Sequence, residues 1–385
     1  MKRAPISDIL WLFIGTRLLL IGVTYLSFIL FPVPPHVYPS TPVNVQGLLL
    51  SWNQWDAPHY IEIARYGYTS RHLTAFFPLF PLLMKAVAFL FGNHLYWLAA
   101  MLISNAALFG TLYMLYQIAA EVLGERGGRR TILYLCLFPT AFFFFAGYNE
   151  SLFIFLSCSS IFAMRHQKWL LAGGLGLLAS LTRSAGVLLV LPYLCELWMA
   201  RDRFETNSWL QFRRLLLKGL PMALIPLGLL FYAYYCWRQF GNPMAFSAAE
   251  KWWGKGWSFP WSGILGNLHQ LFFQQPFGSF LEPHLLLDLG AILAFIVLTI
   301  LGARRFRLSY TVWNVALIML LLCTVSSAGD YLVSDQRYVL ELFPSFILLA
   351  SFGLKHPRLH QALLISFPFL QAILAALFVL GRWMV

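Results

Sequence analysis

Charge is what this sequence has least of. Only 11% of its 385 residues are Asp, Glu, Lys or Arg, against roughly 25% in an ordinary soluble domain, while 59% are hydrophobic. Such a chain cannot clothe a water-facing surface, and many of its apolar runs approach the roughly 20 residues a helix needs to cross a bilayer. A polytopic all-α membrane protein is expected. Organised cysteine chemistry is missing too. Cys136, Cys158, Cys195, Cys236 and Cys323 each lie inside an apolar run without C-x-x-C spacing, which suits buried small hydrophobes and implies neither disulfides nor a thiolate metal site. His59, His72, His94 and His269 are isolated, and no carboxylate pair has metal-ligand spacing, so neither a metal nor a cofactor is expected. No fixed-period repeat and no low-complexity tract is present. The first apolar run, about 9–31, is too long for a signal-peptide core and shows no small-residue cleavage site, so it reads as a retained span.

The charges that remain are placed unevenly. The net charge of +12 would suit nucleic acid if it formed a patch, but it lies in short connections, so no nucleic-acid partner is expected. The clusters are Lys2 and Arg3; Arg126, Arg129 and Arg130; Arg165 and Lys168; Arg201, Arg203, Arg213, Arg214 and Lys218; Arg304, Arg305 and Arg307; Lys355 and Arg358. Setting all of them on the cytoplasmic side predicts spans near 8–31, 95–122, 131–147, 150–164, 168–182, 184–200, 214–240, 284–303, 309–328, 337–354 and 358–382, about eleven crossings with the N-terminus inside. The apolar segment FFPLFPLLMKAVAFLFG at 76–92 must then not cross, and Pro78, Pro81 and Lys85 fit a re-entrant or surface-lying helix. One membrane domain over 1–385 is expected, with a first outer loop at about 32–94 and a second at about 241–283. The unusual polar stretches SWNQWDAPHYIEIARYGY (51–68), GYNES (147–151), LTRSAG (181–186) and SDQRY (334–338) all fall on the non-cytoplasmic side.

Each stretch has a bland reading and a sharper one. In a helix starting near Leu48, Asp56, His59 and Tyr60 share a face at i, i+3 and i+4, with Glu62 turned toward Arg65 and Tyr66; Trp52, Trp55, Ile61 and Ile63 suit an interfacial helix. Asp56 is then a helix cap or an arginine partner, or else a partly desolvated general base. Asn149, Glu150 and Ser151 are either a simple turn or polar groups that need a partner between very apolar runs. Arg183 interrupts an apolar stretch and either pairs with Glu150 or faces a functional cavity. Arg337, beside Tyr338, sits at a span end where snorkelling is cheap, with Asp330 and Asp335 near enough to neutralise it. Lys251 and Lys255 lie among four tryptophans, which serve either as a membrane anchor or as the wall of a lipid-phosphate site. One candidate base and several cations at membrane depth suit a reaction on an anionic lipid.

The motifs WDAPHYIEIARYGY with AFFPLFP, FPTAFFFFAGYNESLFIFLS, LAGGLGLLASLTRSAGVLLVLP, FGNPMAFSAAEKWWG and RYVLELFP occur in one order over most of the chain. In them the sequence resembles the bacterial mannosyltransferase-like proteins related to the second mannosyltransferase of GPI-anchor synthesis, within the C-type (GT-C) superfamily. The resemblance implies a GT-C membrane fold and an inverting transfer of a sugar, mannose by the family's leaning, from a polyprenyl-phosphate donor. The acceptor would be a lipid, glycan or protein, and the site would lie on the outer face of a bacterial cytoplasmic membrane. It implies Asp56 as general base and a need for cations at the donor phosphate, for which Arg183, Arg337 and Lys251 are available; His59, Tyr60, Asn149, Glu150 and Tyr338 are expected to bind substrate. Two positions depart from the pattern, His59 and the Ser-Ala of LTRSAG, which points to a different donor or acceptor preference. The readings from other classes are a transporter or flippase of a lipid-linked sugar, which calls for inverted repeats and a charged midplane path, and an inactive lipid-binding scaffold.

Overall fold

The computed structural model describes residues 5–31, 44–201, 208–279, 281–326, 331–332 and 334–382. Lys2, Arg3, Arg203, Asp330 and part of the first outer loop, 32–43, lie outside the described residues. Helices dominate, and the chain gathers into two compact units: 1–67 with 80–151 and 346–385, and 68–79 with 152–345.

The first unit opens with α1 (Ile6–Leu30). Its buried stripe is Ile9, Thr16, Leu20, Thr24 and Ser27, whereas Leu10, Trp11, Ile14, Leu18, Ile21 and Tyr25 are exposed. Polar residues inward and apolar residues outward is the reverse of a soluble helix, as a lipid environment requires. The inward hydroxyls are satisfied by the helix itself: Thr16 donates to Leu12 O at 2.9 Å, Thr24 to Leu20 O at 2.7 Å and Ser27 to Val23 O at 2.7 Å. Two short helices follow, α2 (Val45–Leu50) and α3 (Asp56–Tyr66). The single helix expected from Leu48 is therefore two, because the backbone between them turns at Trp55, whose φ is 55°. Then come α4 (Leu79–Phe89) and α5 (Tyr96–Leu137). At 11 residues, about 16 Å long, α4 is too short to span, in keeping with the expectation for 76–92.

The 42 residues of α5 contain a non-helical Gly124, φ 76° and ψ 176°, and the chain doubles back there. A Cβ on Gly128 would meet the Tyr116 ring at 2.9 Å, and Ser104 Oγ donates to Phe144 O at 3.3 Å. The hairpin's turn is the GERGGRR loop, where two expected spans meet. At the same end Arg129 pairs with Asp8 at 2.9 Å, Arg130 donates to Gly353 O at 2.6 Å and Tyr134 bonds His360 at 2.9 Å. The residues that open α1, the Gly124 turn and the Lys355–Arg358 connection thus share one end of this unit, and α2 and α3 lie at the other.

In the second unit, helices Trp169–Thr182 and Leu224–Phe240 pack through small residues. A Cβ on Gly173 would sit 2.1 Å from Pro221 O, and one on Gly228 would sit 2.4 Å from Leu177 O, so these backbones touch as small-residue membrane helix pairs do. Helices Glu282–Ala303 and Leu308–Cys323 are tied by Asn314, which donates to Thr299 Oγ1 at 3.2 Å and also to Ser345 Oγ at 2.8 Å. Glu196 accepts from Arg307 at 2.9 Å and Ser309 at 2.6 Å, and Arg165 bonds Tyr310, so two more basic connections meet at one end. The strands β1 (Lys255–Trp257) and β2 (Thr324–Ser326) form one antiparallel pair, Lys255 opposite Ser326.

The protein is an all-α polytopic membrane protein. Among the described residues five helical segments are long and apolar enough to cross, Ile6–Leu30, Tyr96–Leu137 (the α5 hairpin, counted once), Arg213–Phe240, Glu282–Ala303 and Pro357–Val379, or six if Asp335–Glu341 and Phe343–Lys355, bent by 83°, count as one. Three of the expected spans, Trp169–Thr182, Ser184–Ala200 and Leu308–Cys323, are apolar helices of 10–17 residues, below the roughly 20 residues of a typical straight crossing.

Candidate functional site

The sequence-predicted site residues fall into two groups, one in each unit. In the first, Trp52 is buried under Phe145 (ring centroids 4.9 Å apart) and Phe378 (5.7 Å), and its Nε1 donates to Thr24 Oγ1 at 3.2 Å. This anchors the strand of chain that leads to Asp56. Asp56 is the first residue of α3 and half-buried, at a position where free helix N–H groups favour an acid. Trp55, the residue in the capping position, makes no side-chain cap. Its place is taken by Tyr148, which accepts from the Asp56 N–H at 3.2 Å and donates to Gln54 O at 2.8 Å. Asp56, His59 and Tyr60 stay at i, i+3 and i+4 of one helix. Tyr60 is buried edge-on against Phe80 at 5.0 Å, while His59 is half-buried. Arg65 lies over the rings of Tyr66 (5.7 Å) and Tyr96 (5.3 Å).

GYNES is no exposed turn. Asn149, Glu150 and Ser151 are all buried, with Glu150 opening the helix Glu150–Arg165. Ser151 Oγ lies 3.3 Å from Ser104 Oγ, and its carbonyl accepts from Thr111 at 3.2 Å.

In the second unit the helix Trp169–Thr182 ends at Arg183, in extended backbone with φ −154°. Arg183 forms an ion pair with Glu341 at 3.0 Å, a partner that the expected alternatives, Glu150 or a functional cavity, did not include. The guanidinium also stands 4.7 Å from the centroid of the Tyr338 ring and 5.9 Å from that of Phe153. Arg337, on the short helix Asp335–Tyr338, is buried rather than snorkelling at a span end, and its guanidinium is 5.3 Å from the same ring. Buried Asp335 lies two residues before it, and Asp288, also buried, accepts from the Gln336 N–H at 2.8 Å.

The third cation at this ring is Lys255. The pairing of β1 with β2 holds it so that Nζ donates to Tyr338 Oη at 3.3 Å and stands 4.9 Å from the ring centroid. Burial works against its ammonium, but Tyr338 and the Glu250 carboxylate outweigh that, and its pKa sits above the ordinary lysine value. Lys251, by contrast, is exposed in the turn before β1. Three cations thus converge on one phenol, an arrangement able to hold an oxyanion by charge-assisted hydrogen bonds. Sequence reasoning missed Glu341, Tyr148 and the contact of Lys255 with Tyr338. Among the described residues no three His, Cys, Asp or Glu side chains gather as a metal site.

A model of the mannosyltransferase (PIG-V) family matches residues 24–266, well over half of the chain. The chain belongs to that family. The matched segment contains Asp56, Arg183 and Lys255 but ends before Arg337, Tyr338 and Glu341. Human GPI alpha-1,6-mannosyltransferase 2 is 32% identical over 237 residues, 54% of this chain and 45% of the human protein. The rat protein of the same name is 33% identical over 172 residues, 41% and 34%, and the GPI mannosyltransferase 2 of Schizosaccharomyces pombe is 24% identical over 248 residues, 59% and 52%. This family member therefore matches only about a third to a half of the length of these curated relatives. Among solved structures, the Archaeoglobus fulgidus oligosaccharyltransferase with zinc and sulfate is similar at a TM-score of 0.49 and 15% identity, over 95% of this chain and 53% of that one.

Proposed function

We propose that this mannosyltransferase-family protein is a GT-C-type inverting enzyme that moves a sugar, mannose by its family, from a polyprenyl-phosphate monosaccharide to an acceptor hydroxyl. It would work on the non-cytoplasmic face of a bacterial cytoplasmic membrane. Asp56 is the general base. Arg183, Arg337 and Lys255, with Lys251 nearby in sequence, hold the donor phosphate, and His59, Tyr60, Asn149, Glu150 and Tyr338 contact substrate. The observation that carries this reading is the convergence of three cations on Tyr338, one of them in an ion pair with Glu341.

The chemistry is one displacement. The acceptor O–H gives its proton to Asp56 as its oxygen bonds to the anomeric carbon, and the bond from that carbon to the phosphate oxygen breaks, leaving its electron pair on the phosphate. Attack from the side opposite the leaving group inverts the anomeric centre. The donor diester carries one negative charge, and the departing monoester gains a second, with a second pKa of about 6, so no strong general acid is needed. Cations bind the developing dianion better than the donor, which is the differential binding that lowers a barrier. Incubation with a panel of polyprenyl-phosphate sugars and acceptors tests the reading: release of polyprenyl phosphate with glycosylated acceptor is expected. Movement of intact lipid-linked sugar across vesicles, without release, would make the protein a transporter instead.

A further inference from the structure

The N–H groups of a helix's first turn have no partner within the helix, and a Ser, Thr, Asp or Asn side chain just before it usually supplies one. Here Trp55 holds that position and supplies none. Its backbone is also unusual: φ 55° and ψ −102° is a conformation that residues bearing a Cβ adopt only when their surroundings enforce it. The enforcing group comes from far along the chain. The Tyr148 hydroxyl reaches both sides of Trp55, accepting from the Asp56 N–H and donating to Gln54 O, the carbonyl that also accepts from Ala57 N at 3.1 Å.

Tyr148 is itself held firmly. It is fully buried and packs edge-on against Phe143 at 5.0 Å and Phe378 at 6.0 Å. The segment it extends from is pinned to α5, where Asn105 donates to Phe145 O at 3.1 Å and Ser104 to Phe144 O. Gly147 lets that segment lie close, since a Cβ there would meet Ala100 Cβ at 2.7 Å. A single hydroxyl thus joins a rigid part of the membrane bundle to the two peptide groups flanking a strained residue, directly at Asp56.

We propose that Tyr148 is a positioning residue for Asp56: its hydroxyl caps α3 in place of a local side chain and fixes the carboxylate against the reacting hydroxyl. This rests on the assignment of Asp56 as base. The hydroxyl is buried and engaged on both sides of Trp55, so its loss is expected to weaken the chemical step and spare donor binding.

The test is steady-state transfer by Tyr148→Phe in detergent, with thermal unfolding measured in parallel. Loss of one oxygen is expected to lower kcat about 10- to 100-fold, the scale of a misplaced catalytic group, with the donor KM within about twofold. The same substitution in a Trp55→Gly background is expected to lower kcat less than about threefold relative to Trp55→Gly alone, because glycine adopts the turn unaided. A Tyr148→Phe protein with kcat within about twofold of wild type overturns the proposal. So does one whose activity falls only in proportion to its folded fraction, or an equal loss in the Trp55→Gly background. If Asp56→Asn is inactive while Tyr148→Phe turns over normally, positioning alone fails. An active Asp56→Asn protein overturns the base assignment and this role with it.

Discussion

Arg183 and Glu341 form an ion pair at 3.0 Å, the carboxylate buried and the guanidinium nearly so. The pair joins the end of the helix Trp169–Thr182 to the turn before Phe343–Lys355, and Trp313 Nε1 donates to the Glu341 carbonyl at 3.2 Å. Removing one partner of such a pair leaves a buried charge uncompensated, which costs about 3–5 kcal/mol. Glu341→Ala is expected to lower the unfolding temperature clearly, measured by thermal unfolding in detergent. An unchanged midpoint would show that the pair is dispensable to the fold.

Arg183 has a second task if its guanidinium reaches the donor. Arg183→Ala is expected to raise the donor KM at least about tenfold, the worth of one charge-assisted hydrogen bond of about 1.5 kcal/mol or more. Arg183→Lys should recover only part of that, since an ammonium lacks the planar fork. Equal KM values for wild type and Arg183→Ala would make this arginine structural.

The two lysines should separate. Lys255→Ala is expected to weaken donor binding about tenfold, and exposed Lys251→Ala by less than about twofold, because surface charges contribute little. The raised pKa of Lys255 sets the sign of the pH effect. A group held above its ordinary value of 10.5 keeps its charge throughout the neutral range, and its contacts weaken only as pH rises past that value. Donor KM should thus show no loss from Lys255 between about pH 6 and 9. A lysine-dependent rise in KM inside that window would contradict the arrangement around Tyr338.

Close helix packing gives a prediction independent of chemistry. At Gly228 a methyl group would lie 2.4 Å from the Leu177 carbonyl oxygen, and backbone cannot move aside as a flexible side chain can. Gly228→Ala is expected to destabilise by about 1–3 kcal/mol, seen as a lower unfolding temperature. Gly174→Ala, with nothing within 4 Å of its Cβ, is the control that should hold the unfolding temperature or raise it slightly, since alanine suits a helix interior better than glycine.

Much of this architecture was legible because it rests on local composition. Sparse charge and long apolar runs identify a membrane protein, Pro78 and Pro81 mark α4 as no ordinary span, and the Gly-rich GERGGRR loop marks the hairpin of α5. The end of the helix Trp169–Thr182 at Arg183 was legible as well, whereas the division of the helix expected from Leu48 into α2 and α3 was not. Partners distant in sequence were equally hidden. Nothing in the spacing of LTRSAG points to Glu341, and only the register of β1 on β2 distinguishes Lys255 from Lys251. The break before Asp56 depends on a backbone conformation at Trp55 that a Tyr148 hydroxyl sustains, and tryptophan carries no local signal for it.

Asp56 as base is tested by the release of polyprenyl phosphate from purified wild-type and Asp56→Asn protein at equal, verified folding. The substitution keeps the shape of the side chain and removes its capacity to take a proton. Turnover should fall at least about 1,000-fold, the upper part of the range for a general base, with donor binding retained. An Asp56→Asn protein that turns over at the wild-type rate would contradict the account.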